Sequence, residues 1–302
     1  MHMIIFTCTS FLDFKGTDKL KCLCRALDTF REKHRTSPHL ENIVSWVIVN
    51  EYAADGKTNW RSILTKRYPF ITFIQKNKHQ KGQAASMNII LKIIPTYTYW
   101  IHWEEAWYTE TPFLNDAVSI MNSTEITQIQ FTRQNNVVNW MKQGSGNDSL
   151  GTDDHMLACD DENRYCIVEA SAKVWNNVDV YDGCCNNWPL YSLLPSINRV
   201  SVYTFGEFST DPALWPFVFE YYFAKKWLKN GGVKAVLAYG PVVRDDKNHV
   251  STYNYGGASA GRTRRLSKSE ILAIVLSAII VGIGICVGIY FGVVNGDKLK
   301  SI

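Results

Sequence analysis

Two adjacent carboxylates, Glu104 and Glu105, follow the run Tyr99-Trp100-Ile101-His102-Trp103 and precede Ala106-Trp107. Like charges side by side repel, so such a pair suits a metal or a cationic ligand between them, or one retained proton. A solvated loop that opens with Glu-Glu is the plainer reading. The apolar run before the pair reads as a strand inside a sheet. Acids where such a strand ends lie at its carboxyl edge, where open α/β sheets bind ligands. Other residues with chemical capacity are scattered. Asn50-Glu51 closes another apolar run. Lys76, Lys78 and Lys81 form a basic loop, either anion-binding or merely solvated. His102 is a ligand or a satisfied core histidine. Glu220 stands near the start of an amphipathic segment, where it serves as a base or simply favours the helix dipole. His249 is a ligand or a polar loop residue.

The elements that must position these groups follow a regular order. Residues 2–9 read as a first strand. Residues 18–34 place Leu20, Leu23, Leu27 and Phe30 at helical spacing, with Asp18 as a cap. Residues 43–49 form a continuous apolar run of the kind buried on both faces. Asp55-Gly56 marks a turn. A helix over 58–68 stops at Pro69, and a strand covers 70–75. Gly82 leads into a helix over 83–94, and the Glu-Glu strand comes next. This alternation predicts a mostly parallel α/β sheet with right-handed crossovers. A helix is expected over 111–122, a strand over 128–133, a helix over 217–230 stopped by Gly231-Gly232, and a last strand over 234–239. Residues 134–187 read as an irregular insertion with little core of its own, holding one strand over 167–174.

Composition narrows the class. The 302 residues are 46% hydrophobic and 13% aromatic, enough for a substantial core. A net charge of +4 gives no argument for a nucleic-acid partner. The eight cysteines lack zinc spacing and are expected as free thiols in a reducing compartment. Asp153-Asp154 and Asp160-Asp161 lack calcium-loop spacing. Residues 271–294 are apolar and uncharged, and they predict a single-pass C-terminal membrane anchor behind a flexible, basic linker at 256–270. Arg262, Arg264, Arg265 and Lys268 precede this segment, so the large N-terminal part is expected on the cytoplasmic side, with 295–302 as a short tail. The ending Lys298-Leu299-Lys300-Ser301-Ile302 also looks like a dilysine retrieval signal, which needs the opposite orientation. Gly284, Gly288 and Gly292 form a stripe that suits pairing into a homodimer. Asn122-Ser123-Thr124 and Asn147-Asp148-Ser149 are sequons, irrelevant in a cytoplasmic domain.

In this order the pieces resemble the GT-A glycosyltransferases, in particular the inverting family 2 type, over roughly residues 1–255. Thr7 to Phe11, including Ser10, look like the segment that meets the nucleotide. Asn50-Glu51 looks like the acidic pair that holds base or ribose, and Asp55-Gly56-Lys57-Thr58 echoes the following loop. Lys81-Gly82-Gln83-Ala84-Ala85-Ser86-Met87-Asn88 looks like the segment before the metal strand. Glu104-Glu105-Ala106-Trp107 looks like the metal motif, with Glu104 toward the nucleotide sugar. Ala106 stands where the family places its metal-binding acid, so the resemblance gives a divalent metal (Mn²⁺ or Mg²⁺) to Glu105 and His249. Lys81 or Arg133 are the alternative source of positive charge. Residues 194–199 and Gly206-Glu207-Phe208 look like acceptor-side elements. The helix around Glu220 looks like the acid-bearing helix, with Lys226 in the place of an Arg. The implied activity is sugar transfer from a UDP- or GDP-sugar to a hydroxyl of a glycan, lipid or protein, with inversion. Glu220 is the expected base and Glu207 its reserve. The rival readings are a non-catalytic, membrane-tethered GT-A-like binding protein and a nucleotidyltransferase.

Overall fold

A computed structural model describes residues 2–12, 18–52, 60–132, 155–170, 175, 190–211 and 218–245. The chain divides into two units, Met1–Thr252 and Tyr253–Ile302. The second lies outside the described residues, and with it the expected linker, anchor, tail and glycine stripe. Asp55-Gly56, Arg133 and His249 also lie outside them. Among the described residues no helix is long and apolar enough to cross a membrane.

A nine-stranded sheet runs, in spatial order, through Ile71–Gln75 (β3), Ile43–Asn50 (β2), Ile4–Ser10 (β1), Tyr99–Glu104 (β4), Ser196–Arg199 (β9), Gln128–Gln130 (β6), Lys234–Leu237 (β10), Tyr165–Ala170 (β8) and His155–Cys159 (β7). Its first four strands, β1 (Ile4–Ser10), β2 (Ile43–Asn50), β3 (Ile71–Gln75) and β4 (Tyr99–Glu104), are mutually parallel, as the α/β alternation predicts. Every residue of β1 is buried. That fits a strand covered on both faces and explains the unbroken apolar run. Along β4 the side chains alternate. Tyr99, Ile101 and Trp103 join one core with Phe6, Phe30, Trp46 and Phe113, under α1 (Lys19–Lys33), α2 (Trp60–Arg67) and α4 (Leu114–Ser123). Trp100 joins the other with Met87, Phe223, Trp227 and Val236, under α3 (Gln83–Ile93) and α5 (Val218–Lys229). Asp18 caps α1 by accepting from the Lys21 amide at 3.0 Å. Gly231, at φ +81°, ends α5 as expected of a glycine stop.

Two expectations need correction, and one strand was not expected. The 134–187 segment contributes two strands, β7 (His155–Cys159) and β8 (Tyr165–Ala170), and β8 pairs antiparallel with β10 (Lys234–Leu237). Cys166 and Val168 are buried in the second core, so this segment extends the sheet. Cys159 and Cys166 face each other in register and form a disulfide, whereas Cys8, Cys22 and Cys24 are free thiols. Finally, the four-residue β9 (Ser196–Arg199) inserts antiparallel between β4 and β6 (Gln128–Gln130). A small second sheet pairs β5 (Trp107–Thr109) with β11 (Val242–Arg244) just beyond the Glu-Glu pair.

Candidate active site

The two adjacent acids at the end of β4 diverge. Glu104 accepts from Gln83 Nε2 at 2.9 Å and from Trp107 Nε1 at 3.2 Å, which aims it toward α3. Burial, then the neighbouring Glu105, pushes its pKa up to about 7. Glu105 turns toward α1 and accepts from Lys19 Nζ at 2.6 Å, with both side chains almost wholly buried. Ala106 accepts the Asp245 amide on its carbonyl at 2.8 Å, and Arg25 holds the Asp245 carboxylate at 2.9 Å. Divergence and the Lys19 partner offset part of the repulsion that the sequence poses, and the rest helps to hold the Glu104 pKa up.

A third carboxylate comes to the same sheet edge from α5, in the layer that also holds α3. In the β4–β9 ladder His102 lies opposite Ser196. Residues 190–194 therefore leave β9 at the edge where Glu104 ends β4. The Leu193 amide donates to Glu220 Oε1 on α5 at 2.8 Å. Glu220 is 7% exposed. Burial raises its pKa to about 7, the Leu193 N–H opposes that rise, Glu104 adds to it, and Lys234 lowers it. Beneath this edge, burial drives His102 down to about 3, which keeps the imidazole neutral. Neither of its ring nitrogens has a well-formed hydrogen bond.

The remaining sequence candidates serve mostly as fasteners of this edge. Thr7 is fully buried mid-strand and accepts from Trp100 Nε1 at 2.7 Å. Asn50, also fully buried, accepts from Ser10 Oγ at 3.0 Å and the Leu12 amide at 2.9 Å, and donates to Gln75 Oε1 at 2.9 Å. It thus ties together the ends of β1, β2 and β3. Glu51 accepts from Lys76 Nζ at 2.8 Å and from the Gly82 amide at 2.9 Å, fixing the loop before α3. Gly82, at φ +86°, opens α3 without a side-chain cap. Lys81 is exposed and lies 5.9 Å from the Tyr52 ring centroid. Asn88 exchanges two hydrogen bonds with the Phe208 backbone, at 2.7 and 2.8 Å, and so holds the loop bearing Glu207. Glu207 itself is exposed and pairs with Lys92 at 3.2 Å. Sequence reasoning missed Lys19 and Lys234, two buried lysines, because long charged side chains in apolar surroundings carry no periodic signal; Lys76, expected in a solvated or anion-binding loop, is buried and paired with Glu51. It also missed Gln83, a polar residue at a helix start.

The described residues do not assemble a metal centre. Glu104 is the one acid of the pair on the α3 side, Glu105 is committed to Lys19, and Ala106 offers no side-chain ligand. No group of three or more His, Cys, Asp or Glu among the described residues could hold a metal ion.

No protein-family model matches the sequence, and no curated protein sequence matches it. Solved structures do match in fold. GalNAc-T7 with UDP, GalNAc and Mn²⁺ aligns with a TM-score of 0.51 at 9% identity, over 84% of this chain and 46% of that one. TarS (residues 1–349) of S. aureus gives 0.48 at 12% identity, over 78% and 58%. The mannosyltransferase PcManGT from Pyrobaculum calidifontis, with GDP-Man and Mn²⁺, gives 0.43 at 12% identity, over 70% and 48%. The chain spans roughly half the length of these neighbours. The likeness is one of fold: mixed α/β with a largely parallel central sheet, shared with glycosyltransferases of the GT-A type.

Proposed function

We propose that the chain is a glycosyltransferase that moves a sugar from a nucleotide-diphosphate donor to an acceptor hydroxyl with inversion. The observation that carries this is the meeting of Glu104 and Glu220 at one sheet edge, each with its ionisation raised to about pH 7. Such a transfer needs a carboxylate to take the acceptor proton and positive charge to receive the leaving diphosphate. Glu220 takes the proton. The acceptor oxygen then bonds to the anomeric carbon as the bond from that carbon to the diphosphate oxygen breaks. A base titrating near neutrality is half ionised there and still strong enough to accept a proton. Glu104, oriented by Gln83 and Trp107, faces the donor sugar and favours positive charge developing at its anomeric centre. Lys81 and the first-turn amides of α3, which lack intrahelical acceptors, receive the diphosphate. No step is assigned to a metal, since the described donor set does not form its site. Glu207, on the loop fastened by Asn88, belongs to the acceptor side.

We also propose residues 271–294 as a membrane anchor. The Cys159–Cys166 bond favours an oxidising side for the domain. That agrees with the dilysine reading of the tail and opposes the flanking charges.

The test is incubation of the full chain in detergent with UDP- and GDP-sugars, with and without Mn²⁺. Nucleoside diphosphate release with transfer or hydrolysis supports the reading. Absence of turnover with every donor refutes it. Pyrophosphate release identifies a nucleotidyltransferase. Donor binding without turnover, retained in Glu220→Gln, identifies a non-catalytic binding protein.

A further inference from the structure

Residues 190–193 run as an irregular strap between the sheet and α5, and buried polar side chains from separate elements hold them. Lys234 on β10 donates from Nζ to the Leu190 carbonyl at 2.8 Å. Gln128 on β6 donates to the Ser192 carbonyl at 2.8 Å and accepts the Ser192 amide at 3.2 Å. Glu220 accepts the Leu193 amide. Leu190 sits at φ +69°, a left-handed conformation that is strained for a bulky L residue. Such a conformation persists only where the surroundings impose it. Here Leu190 is buried in the second core and its carbonyl is gripped by the lysine.

Lys234 calls for an explanation of its own. It is 2% exposed on a strand whose next residue on that face is Val236, and Val168 lies opposite it. Burial penalises its ammonium and lowers its pKa to about 7, more than one hydrogen bond to a neutral carbonyl offsets. Glu220, at the other end of the same strap, opposes that fall: each favours the charged form of the other. No ion pair joins the two; each side chain is bonded instead to the backbone of the strap, Lys234 at Leu190 and Glu220 at Leu193. We propose that residues 190–193 clamp the Glu220 carboxylate and that Lys234 is the positioning residue of this clamp, holding the strap at Leu190. This deepens, and rests on, the reading of Glu220 as the base. The other ionisable groups facing Glu220 are Glu104 from β4, which disfavours its ionisation, and Tyr191 from the strap, which burial keeps protonated.

The experiment uses the full chain and the variant Lys234→Met, which keeps the length of the stem and removes donor and charge. The protonated carboxyl band of Glu220 is followed against pH by difference infrared, with Glu220→Gln identifying the band. The midpoint is expected to rise by about one unit, a tenfold shift in the equilibrium. Transfer at about pH 6.5 should fall roughly tenfold and recover near pH 9, with the donor KM changed less than about twofold. An unchanged or lowered midpoint in a folded variant overturns the proposal. Should Lys234→Met not fold, the unaltered chain decides: the Leu193 amide resonance must titrate with the Glu220 midpoint, and an amide that stays fixed from about pH 6 to 8 overturns it. If no donor is turned over, the function proposed above fails, while the carboxyl titration still reads the clamp.

Discussion

Replacing Glu220 with Gln separates the chemical role of this carboxylate from its cost. In the folded chain Glu220 keeps its proton up to about pH 7, against an ordinary value of 4.5. Between those values the folded state binds more protons than the unfolded one, so stability falls as pH rises. A shift from 4.5 to about 7, at about 1.36 kcal/mol per unit, comes to roughly 3 kcal/mol lost above pH 7. Gln has the same shape, stays neutral, and still offers Oε1 to the Leu193 amide, so it escapes this loss. Part of the gain is returned because Lys234 loses the anion that favours its charge. The net expectation is a Glu220→Gln variant about 1–3 kcal/mol more stable than the parent at pH 8 and equal to it below about pH 4.5. For a domain of this size that is a rise of roughly 3–9 °C in Tm at pH 8. Transfer should fall by about 10²–10⁴-fold at every pH if Glu220 is the general base proposed above. The assay is thermal denaturation of both proteins from about pH 4 to 9, beside nucleotide release. A variant no more stable than the parent at pH 8, or one that retains activity, refutes the reasoning.

Asn50→Asp supplies the acid that the resemblance expects at this position, yet it should destabilise by about 3 kcal/mol or more, because a buried charge would then face Gln75 Oε1 and the Glu51 carbonyl. Urea unfolding reads the loss, and nucleotide affinity should not improve. Glu105→Gln breaks the buried ion pair with Lys19 and should cost about 3–5 kcal/mol in thermal melts. Any stabilisation of the chain by Mn²⁺ should survive that substitution, because Glu105 is engaged with Lys19. Asn88→Ala removes both bonds to the Phe208 backbone, with an expected loss of about 2 kcal/mol and faster hydrogen exchange at the Phe208 amide than in the parent.

The elements that hold the site were legible wherever periodicity spoke. β1, β2 and β4 are near-continuous apolar runs because parallel strands are buried on both faces. The start of α1 was readable from Asp18, and the end of α5 from Gly231. What escaped was short or polar. β9 carries Ser196 and Asn198, whose buried side chains are satisfied by Gln128, the Trp100 carbonyl and each other, so no hydrophobic pattern marks it. β7 and β8 gain their place by extending the sheet next to β10, a pairing across a long stretch of chain.

The site shows the same division. The sequence alone determined that Glu104 ends a buried strand and that Glu220 opens a helix, because both facts follow from local spacing. It could not determine which of two adjacent acids faces α3 and which faces α1. That was decided by Lys19 drawing Glu105 toward α1 and by Gln83 and Trp107 holding Glu104 toward α3. Nor could it bring Glu220 to the same edge. Tertiary structure does so through β9, whose antiparallel register delivers Leu193 to the carboxylate. Spacing along a chain fixes local geometry, whereas the partners of a buried charge come from wherever the fold closes.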